Sequence, residues 1–386
     1  MTGRAELPTT FDDLGIYPEL LKRLGDLGFK HPTPIQHAAI PIGTKGEDMI
    51  GIAQTGTGKT LAFCVPMIQR VSETKGMGLI LLPTRELALQ VEEVLKRVGA
   101  AFGMRTAILI GGASMHPQIK DLRAKPHVIV ATPGRLIDHM EQKYVSLKDV
   151  RILVLDEADR MLDMGFEPQI KKILATVPKE RQTMLFSATM PAKISQIGEM
   201  YMKKPLRIEI APQGTTAERI DQEIFMVKKE DKIRLLETIL DEYKGTILVF
   251  SRTKHGAKKI MNAVQHMNHT AAELHSNKSL AQRKLALAGF KSGRVRVLVA
   301  TDIASRGIDV TNIELVVNFD IPEQTEDYVH RIGRTGRAGR SGKAISFVTP
   351  DQKNDLRMIE RLIKSKLSIS PLPNLPERRN IPEPPR

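Results

Sequence analysis

Short β-branched apolar runs alternate with longer helical stretches along this chain, and the whole alternation occurs twice. Strand-sized runs lie at 49–53, 78–82, 106–110, 127–131, 151–155 and 183–187, with helical stretches such as 61–72 and 86–101 between them. Strands that read apolar throughout are buried on both faces. Strand and helix in turn predict a mostly parallel, doubly wound α/β sheet. The pattern restarts after Ala211-Pro-Gln-Gly-Thr-Thr216, a polar, turn-rich stretch suited to a short linker. Second-half strands are expected at 222–227, 246–250, 271–275, 295–300, 315–319 and 344–348. The expected organisation is a first α/β domain over 1–210, a linker at 211–217 and a second α/β domain over 218–368. A flexible Pro/Arg-rich tail is expected over 369–386, because its six prolines suit neither helix nor sheet.

A length of 386 residues provides two cores of ordinary size. With 41% apolar and 26% charged residues, disorder throughout is excluded. The apolar runs fall short of the ~20 residues of a membrane span. The opening residues lack the basic cap and apolar stretch of a secretory signal. The single cysteine, Cys64, excludes an internal disulfide framework and a cysteine-rich zinc site, and suits a reducing cytoplasm. Net charge is +14, divided as +5 over 1–210 and +9 over 211–386. That surplus points to a polyanion, nucleic acid foremost. Only 4% of residues are aromatic and none is Trp, which argues against a base-stacking platform.

Ala53-Gln-Thr-Gly-Thr-Gly-Lys-Thr60 follows an expected strand and opens an expected helix. It matches the phosphate-loop pattern except that Ala53 replaces the first glycine. Gly56 and Gly58 let backbone N–H groups of Gln54, Thr55 and Thr57 curl around a phosphate. Lys59 reaches the terminal phosphates, and the Thr60 hydroxyl suits Mg²⁺. The helix N-terminus adds partial positive charge. An acidic strand end completes such a site. After Arg151-Ile-Leu-Val-Leu155, Asp156 emerges at the sheet's C-terminal edge, where it can hold Mg²⁺ through water. Glu157 can orient and deprotonate an attacking water. A glycine-rich turn and a solvated acidic turn are the plainer readings of the two segments taken singly.

Taken together, these residues resemble the DEAD-box family of ATP-dependent RNA helicases, over roughly 11–365. The compact core and short tail are closest to its generalist (RhlE-like) bacterial type. The resemblance implies two tandem RecA-like domains with a single ATP–Mg²⁺ site between them. It implies that Gln36 pairs with adenine, that Phe29 stacks on the ring, and that Phe11 is the family's isolated upstream aromatic. It casts Asp159, Ser187 and Thr189 as coupling residues. Ser187-Ala-Thr189 also reads as a helix N-cap. In the second half, His330, Arg331, Arg334 and Arg337 form a cluster with too many donors for an ordinary core. By resemblance Arg334 and Arg337 are arginine fingers for the γ-phosphate, His330 and Arg331 couple, and Asp309 contacts the ribose.

The RNA path implied by the resemblance runs over Thr84 and Arg85, Gly111 and Gly112, and Thr132, Gly134 and Arg135. In the second half it takes in Arg252, Thr253, Arg283, Thr301 and Asp302. Hydroxyls, glycine amides and guanidinium groups suit phosphate and sugar, which makes binding independent of base sequence. Leu280 stands where the family often has Gln, and Ser305 where Ala is common. The expected activity is ATP hydrolysis coupled to local unwinding of short RNA duplexes by domain closure. An ATP-gated RNA clamp and a DNA-translocating motor are the rival readings. The tail is a place where ribonucleoprotein partners could dock, and no membrane is involved.

Overall fold

Each half of the chain forms its own sheet. The computed structural model describes residues 10–54, 56–210, 220–302, 313–336 and 342–377. The chain divides into two units at Ala211/Pro212, inside the segment expected to be a linker, which itself lies outside the described residues.

In the first unit the strands are β1 (Met49–Ile52), β2 (Met77–Leu81), β3 (Thr106–Leu109), β4 (Val128–Ala131), β5 (Val150–Leu155), β6 (Gln182–Ser187) and β7 (Leu206–Glu209). In the second they are β8 (Ile220–Met226), β9 (Ile247–Phe250), β10 (Ala271–Leu274), β11 (Val297–Ala300), β12 (Leu315–Asn318), β13 (Gly342–Val348) and β14 (Ser368–Ser370). The first sheet has the order β3-β4-β2-β5-β6-β1-β7 and the second β10-β11-β9-β12-β13-β8-β14. Adding seven to each number of the first order generates the second, so one topology is used twice. Every pairing is parallel; β1, for example, aligns Met49 with Met184 of β6 and with Leu206 of β7. Helices cover both faces. In the second unit, one core holds Leu356 and Ile359 of the helix Lys353–Ile363 and the other Leu235 and Leu236 of the helix Lys232–Glu242.

The twelve expected strands are present, with ends shifted by a residue or two. Two more, β7 and β14, were not expected. Both sit at sheet edges, where one side is solvated and no continuous apolar run is needed; Leu206, Arg207 and Glu209 are exposed. The proline-rich segment also departs from a free tail. β14 pairs with β8, and the chain beyond it stays on the second unit. Arg234 donates from Nε to Pro376 O at 2.5 Å and from NH2 to Leu375 O at 3.3 Å, and Leu375 packs on the core. Proline lacks an N–H but keeps its carbonyl, so such a segment can still be held by a donor.

Candidate functional site

A parallel sheet ends all its strands at one edge, and ligands of open α/β sheets bind there. In the first unit β5, β6 and β1 are neighbours. Their ends carry the acidic motif, Ser187–Thr189 and the phosphate loop. The loop closes at Gly58, the N-cap of the helix Lys59–Thr74. Gly56 and Gly58 have φ of +85° and +93°, the left-handed region open to glycine. At Gly58 a Cβ would also fall 2.4 Å from Gln36 Nε2. Lys59 is buried and donates to Ala53 O at 2.6 Å, so its ammonium folds back across the loop. Thr57 Oγ1 donates to Gln54 O at 2.7 Å, and Thr60 lies half-buried in the first helical turn. Thr55 is outside the described residues.

Gln36 belongs to the helix Pro34–Thr44, whose capping box it forms with Thr33. Its Oε1 accepts from Thr33 N–H at 2.9 Å and its Nε2 donates to Gly58 O at 3.0 Å. One N–H and one lone pair of the amide are left for an adenine edge. The helix Pro34–Thr44 and the phosphate loop are therefore joined by this side chain. Phe29 is 38% exposed, as a stacking ring must be, whereas Phe11 is buried at 4% and supports the segment from within.

Asp156 is buried, and its Oδ1 accepts from Glu157 N–H at 2.9 Å. Burial pushes its carboxyl up to about 7, against the pull of Lys59 and with the push of Glu157. A buried carboxylate held that high gains from a cation beside it. Among the described residues no group of three or more His, Cys, Asp or Glu could hold a metal ion. Magnesium needs no such cage, because it keeps waters and phosphate oxygens as ligands. Thr60 and Asp156 therefore fit it. Glu157 has φ +51° and ψ +48°, a left-handed conformation that costs a non-glycine residue about 1 kcal/mol or more. It forms an ion pair with Arg160 at 2.8 Å, with side-chain exposures of 5% and 3%. Arg160 was missed in the sequence, although an i, i+3 Glu–Arg spacing signals such a pair.

Asp159 joins the three loops. Its Oδ2 accepts from Ala188 N–H at 3.0 Å, Thr189 N–H at 2.9 Å and Thr189 Oγ1 at 3.0 Å. Its Oδ1 accepts from Arg160 N–H, and its own N–H donates to Ser187 Oγ at 3.3 Å. Ser187 O in turn accepts from Ala53 N–H at 3.0 Å, at the start of the phosphate loop. Burial alone would raise the Asp159 carboxyl, but the Thr189 hydrogen bonds, the Lys59 charge and the Arg160 N–H together outweigh it and hold the group below the usual carboxylate range.

The other half of the same edge, β3-β4-β2, carries the nucleic-acid candidates. Thr84 caps the helix Arg85–Val98, its Oγ1 accepting from Leu87 N–H. Arg85 lies over Gly111 and Gly112, and a Cβ on Gly112 would strike its guanidinium. Thr132 is the N-cap of the helix Pro133–Glu141. Around Gly134 there is open space, and Arg135 NH1 donates to Ala113 O at 3.0 Å.

The second unit repeats the division. Arg252 and Thr253 follow β9, Thr301 and Asp302 follow β11, and Arg283 lies on the helix Leu280–Lys291 after β10. These strands, β10-β11-β9, hold the same places in their sheet as β3-β4-β2. Thr253 caps its helix by accepting from Gly256 N–H at 3.0 Å. Arg252 N–H donates to Asp320 Oδ2 at 3.1 Å, and its exposed guanidinium lies 3.8 Å from the Glu323 carboxylate. Arg331 corrects the expectation that the late cluster is unfit for a core. It is 2% exposed and gripped bidentately by Asp302 at 2.5 and 2.7 Å. It also donates to Asn318 Oδ1 and Asp320 O, and stacks 4.9 Å from the Phe250 ring centre. Fully partnered, a guanidinium is tolerated inside. Asp302 and Arg331 are thus a brace between the ends of β11 and β12. Arg334 is also buried, its Nε donating to His330 O at 3.3 Å. Asp309 and Arg337 lie outside the described residues, as does Ser305.

Comparison with known proteins agrees with this geometry. The DEAD/DEAH box helicase family matches residues 33–197, and the helicase conserved C-terminal domain matches 231–339. The DEAD-box ATP-dependent RNA helicase CshA of Geobacillus kaustophilus is 43% identical over 372 residues, 96% of this chain and 80% of that protein. The ATP-dependent rRNA helicase RRP3 of Debaryomyces hansenii is 41% identical over 369 residues, 95% of this chain and 77% of that protein. Yeast and bacterial relatives match equally well, so these identities single out no bacterial type. The solved structure of S. cerevisiae Dbp5 bound to RNA and ADP BeF3 superposes with a TM-score of 0.84 at 32% identity, covering 94% of this chain and 96% of that one. Identity of this depth over nearly the whole length, with two RecA-like sheets and the motifs at matching strand ends, makes the chain a member of the DEAD-box helicase family.

Proposed function

We propose that this protein is an RNA-stimulated ATPase that hydrolyses ATP to ADP and phosphate and uses the cycle to open short RNA duplexes. One observation carries the reading: Asp159 ties the acidic motif to Ser187–Thr189, and Ser187 to the phosphate loop, on three adjacent strand ends.

The adenine lies between the Phe29 ring and the remaining polar atoms of the Gln36 amide. The phosphates enter the loop and displace the Lys59 ammonium from Ala53 O, exchanging a neutral acceptor for a charged one. Thr60 and Asp156 are the donors for Mg²⁺, which when bound neutralises phosphate charge. Glu157, aimed by Arg160 and by its left-handed backbone, orients the attacking water and takes its proton. Arg334 and Arg337 of the second unit stabilise the transferring phosphoryl group once the units close. Such fingers contribute about 10³–10⁵ in rate. RNA lies along the β3-β4-β2 and β10-β11-β9 ends and is held by backbone contacts. ATP and RNA each favour the closed form and so raise one another's affinity. The single, buried thiol of Cys64 and the net charge of +14 suit a cytoplasmic RNA-binding enzyme. No helix among the described residues is long and apolar enough to cross a membrane.

The test is steady-state ATPase with no nucleic acid, single-stranded RNA, duplex RNA and DNA, for the native chain and Lys59→Ala. Stimulation by RNA well above DNA, lost in the variant, is expected. Equal stimulation by DNA, or turnover surviving in Lys59→Ala, overturns the reading.

A further inference from the structure

One side chain ties both ends of the loop that carries Gly111 and Gly112. Gln118, 4% exposed, sits in the first turns of the helix Met115–Arg123. Its Oε1 accepts from Ile110 N–H at 3.2 Å, and its Nε2 donates to Ile110 O at 3.1 Å and to Ser114 O at 3.0 Å. The remaining lone pair meets His139 Nε2 at 3.2 Å, on the helix Pro133–Glu141. A carboxamide has two donors and two lone pairs, so all four are used. Because Gln118 Oε1 only accepts, His139 must carry its proton on Nε2. His139 is 0% exposed, and its Nδ1 has no hydrogen-bond partner. The pair is sealed beneath the surface and touches ligand only through the loop.

Between the tied ends, Arg85 covers Gly112 and Arg135 holds Ala113 O. Gly112 has φ +70°. Two successive glycines have the most backbone freedom to lose on ordering. A loop already ordered meets its ligand with less entropic loss. The geometry points to Gln118 and His139 as positioning residues for RNA: a buried amide–imidazole pair that keeps the Gly111–Gly112 loop in its binding conformation. The inference rests on assigning the β2, β3 and β4 ends to the RNA backbone.

The experiment titrates full-length protein with a single-stranded oligoribonucleotide and follows ATPase. Gln118→Met keeps the length of the side chain and removes all four bonds. His139→Leu fills the site without a donor, whereas His139→Gln places an N–H where the imidazole Nε2 was. If the competent fraction of the loop falls to about a tenth, the half-saturating RNA concentration rises about tenfold. That rise is expected for Gln118→Met and His139→Leu, with kcat at saturating RNA within about twofold of native. His139→Gln is expected to stay near native. A packing role alone would rank Leu at or above Gln in this sealed site. His139→Gln as weak as His139→Leu, or kcat falling in step with affinity, overturns the inference. If Gln118→Met fails to fold by circular dichroism, the two His139 variants decide it. Arg85→Ala separates the two levels. Weakened RNA binding there, with native behaviour in the pair variants, sinks the pair alone; unchanged binding in Arg85→Ala overturns the RNA assignment itself.

Discussion

Asp159→Asn tests the junction to which the proposed function assigns coupling. The carboxylate accepts four hydrogen bonds, three of them on Oδ2 from Ala188 and Thr189. Asparagine keeps an oxygen toward Ala188 and Thr189 only by turning its NH2 against Arg160 N–H. One acceptor is lost and three bonds change from charge-assisted to neutral. A bond to a charged group contributes about 1.5–3 kcal/mol and a neutral one about 1. Relief of burying a charge offsets part of the difference. A local loosening of about 2–3 kcal/mol remains, which is roughly 30- to 150-fold in the opening equilibrium. Hydrogen exchange reads this directly, because the Ala188 and Thr189 amides are the donors. Their exchange is expected to accelerate by that factor while the helix Lys59–Thr74 keeps its protection. RNA-stimulated ATPase is expected to fall at least tenfold, and RNA-free ATPase by much less, since Lys59 and Asp156 keep their places. Unchanged exchange at both amides, or an unchanged ratio of stimulated to basal rate, refutes the argument.

Three further outcomes follow from the same geometry. Glu157→Gln is expected to bind ATP and RNA but hydrolyse at least 100-fold more slowly, and to soften the Arg160 contact; single-turnover hydrolysis at the native rate would reject Glu157 as the water-orienting group. Gly58→Ala combines about 1 kcal/mol or more of left-handed strain with displacement of Gln36. Calorimetry with ADP should show at least tenfold weaker binding, and native affinity would contradict the Gln36–loop contact. The Asp159 carboxyl is held below its ordinary 3.8, in spite of burial, by the Thr189 hydrogen bonds together with Lys59 and the Arg160 N–H. A depressed folded-state pKa means its stabilisation is complete above the unfolded value and is lost as pH falls through the folded one. The stability difference between native protein and Asp159→Asn, from denaturant midpoints, should be flat from pH 7 to about 5 and shrink below about 4; a difference that shrinks instead toward pH 7 would contradict that sign.

The phosphate loop could be read from residues alone because its demands are local: glycines for left-handed backbone, a strand before, a helix after. The same holds for Asp156, which leaves an apolar strand at the sheet edge. Most of the twelve expected strands were legible for a related reason, since inner strands such as β4, β9 and β11 are buried along their whole length and read apolar throughout. Edge strands escape that rule: β3 and β10 were expected all the same, whereas β7, which carries Arg207 and Glu209, and the three-residue β14 were missed. Arg331 misled because a guanidinium reads as surface unless its partners are known, and Asp302, Asn318 and Asp320 lie 29, 13 and 11 residues away.

The residues by themselves determined that this chain is two doubly wound halves, one of which holds a nucleotide, because glycine conformations and apolar periodicity are properties of short segments. Only the tertiary structure decided which strand ends are neighbours: β5, β6 and β1, whose ends carry the proposed nucleotide site, and β3, β4 and β2, whose ends carry the proposed RNA path. Strand order is set by crossover connections that bring distant segments together. The bonds of Asp159 to Thr189, of Gln36 to Gly58 and of Gln118 to His139 exist only after those crossovers have formed.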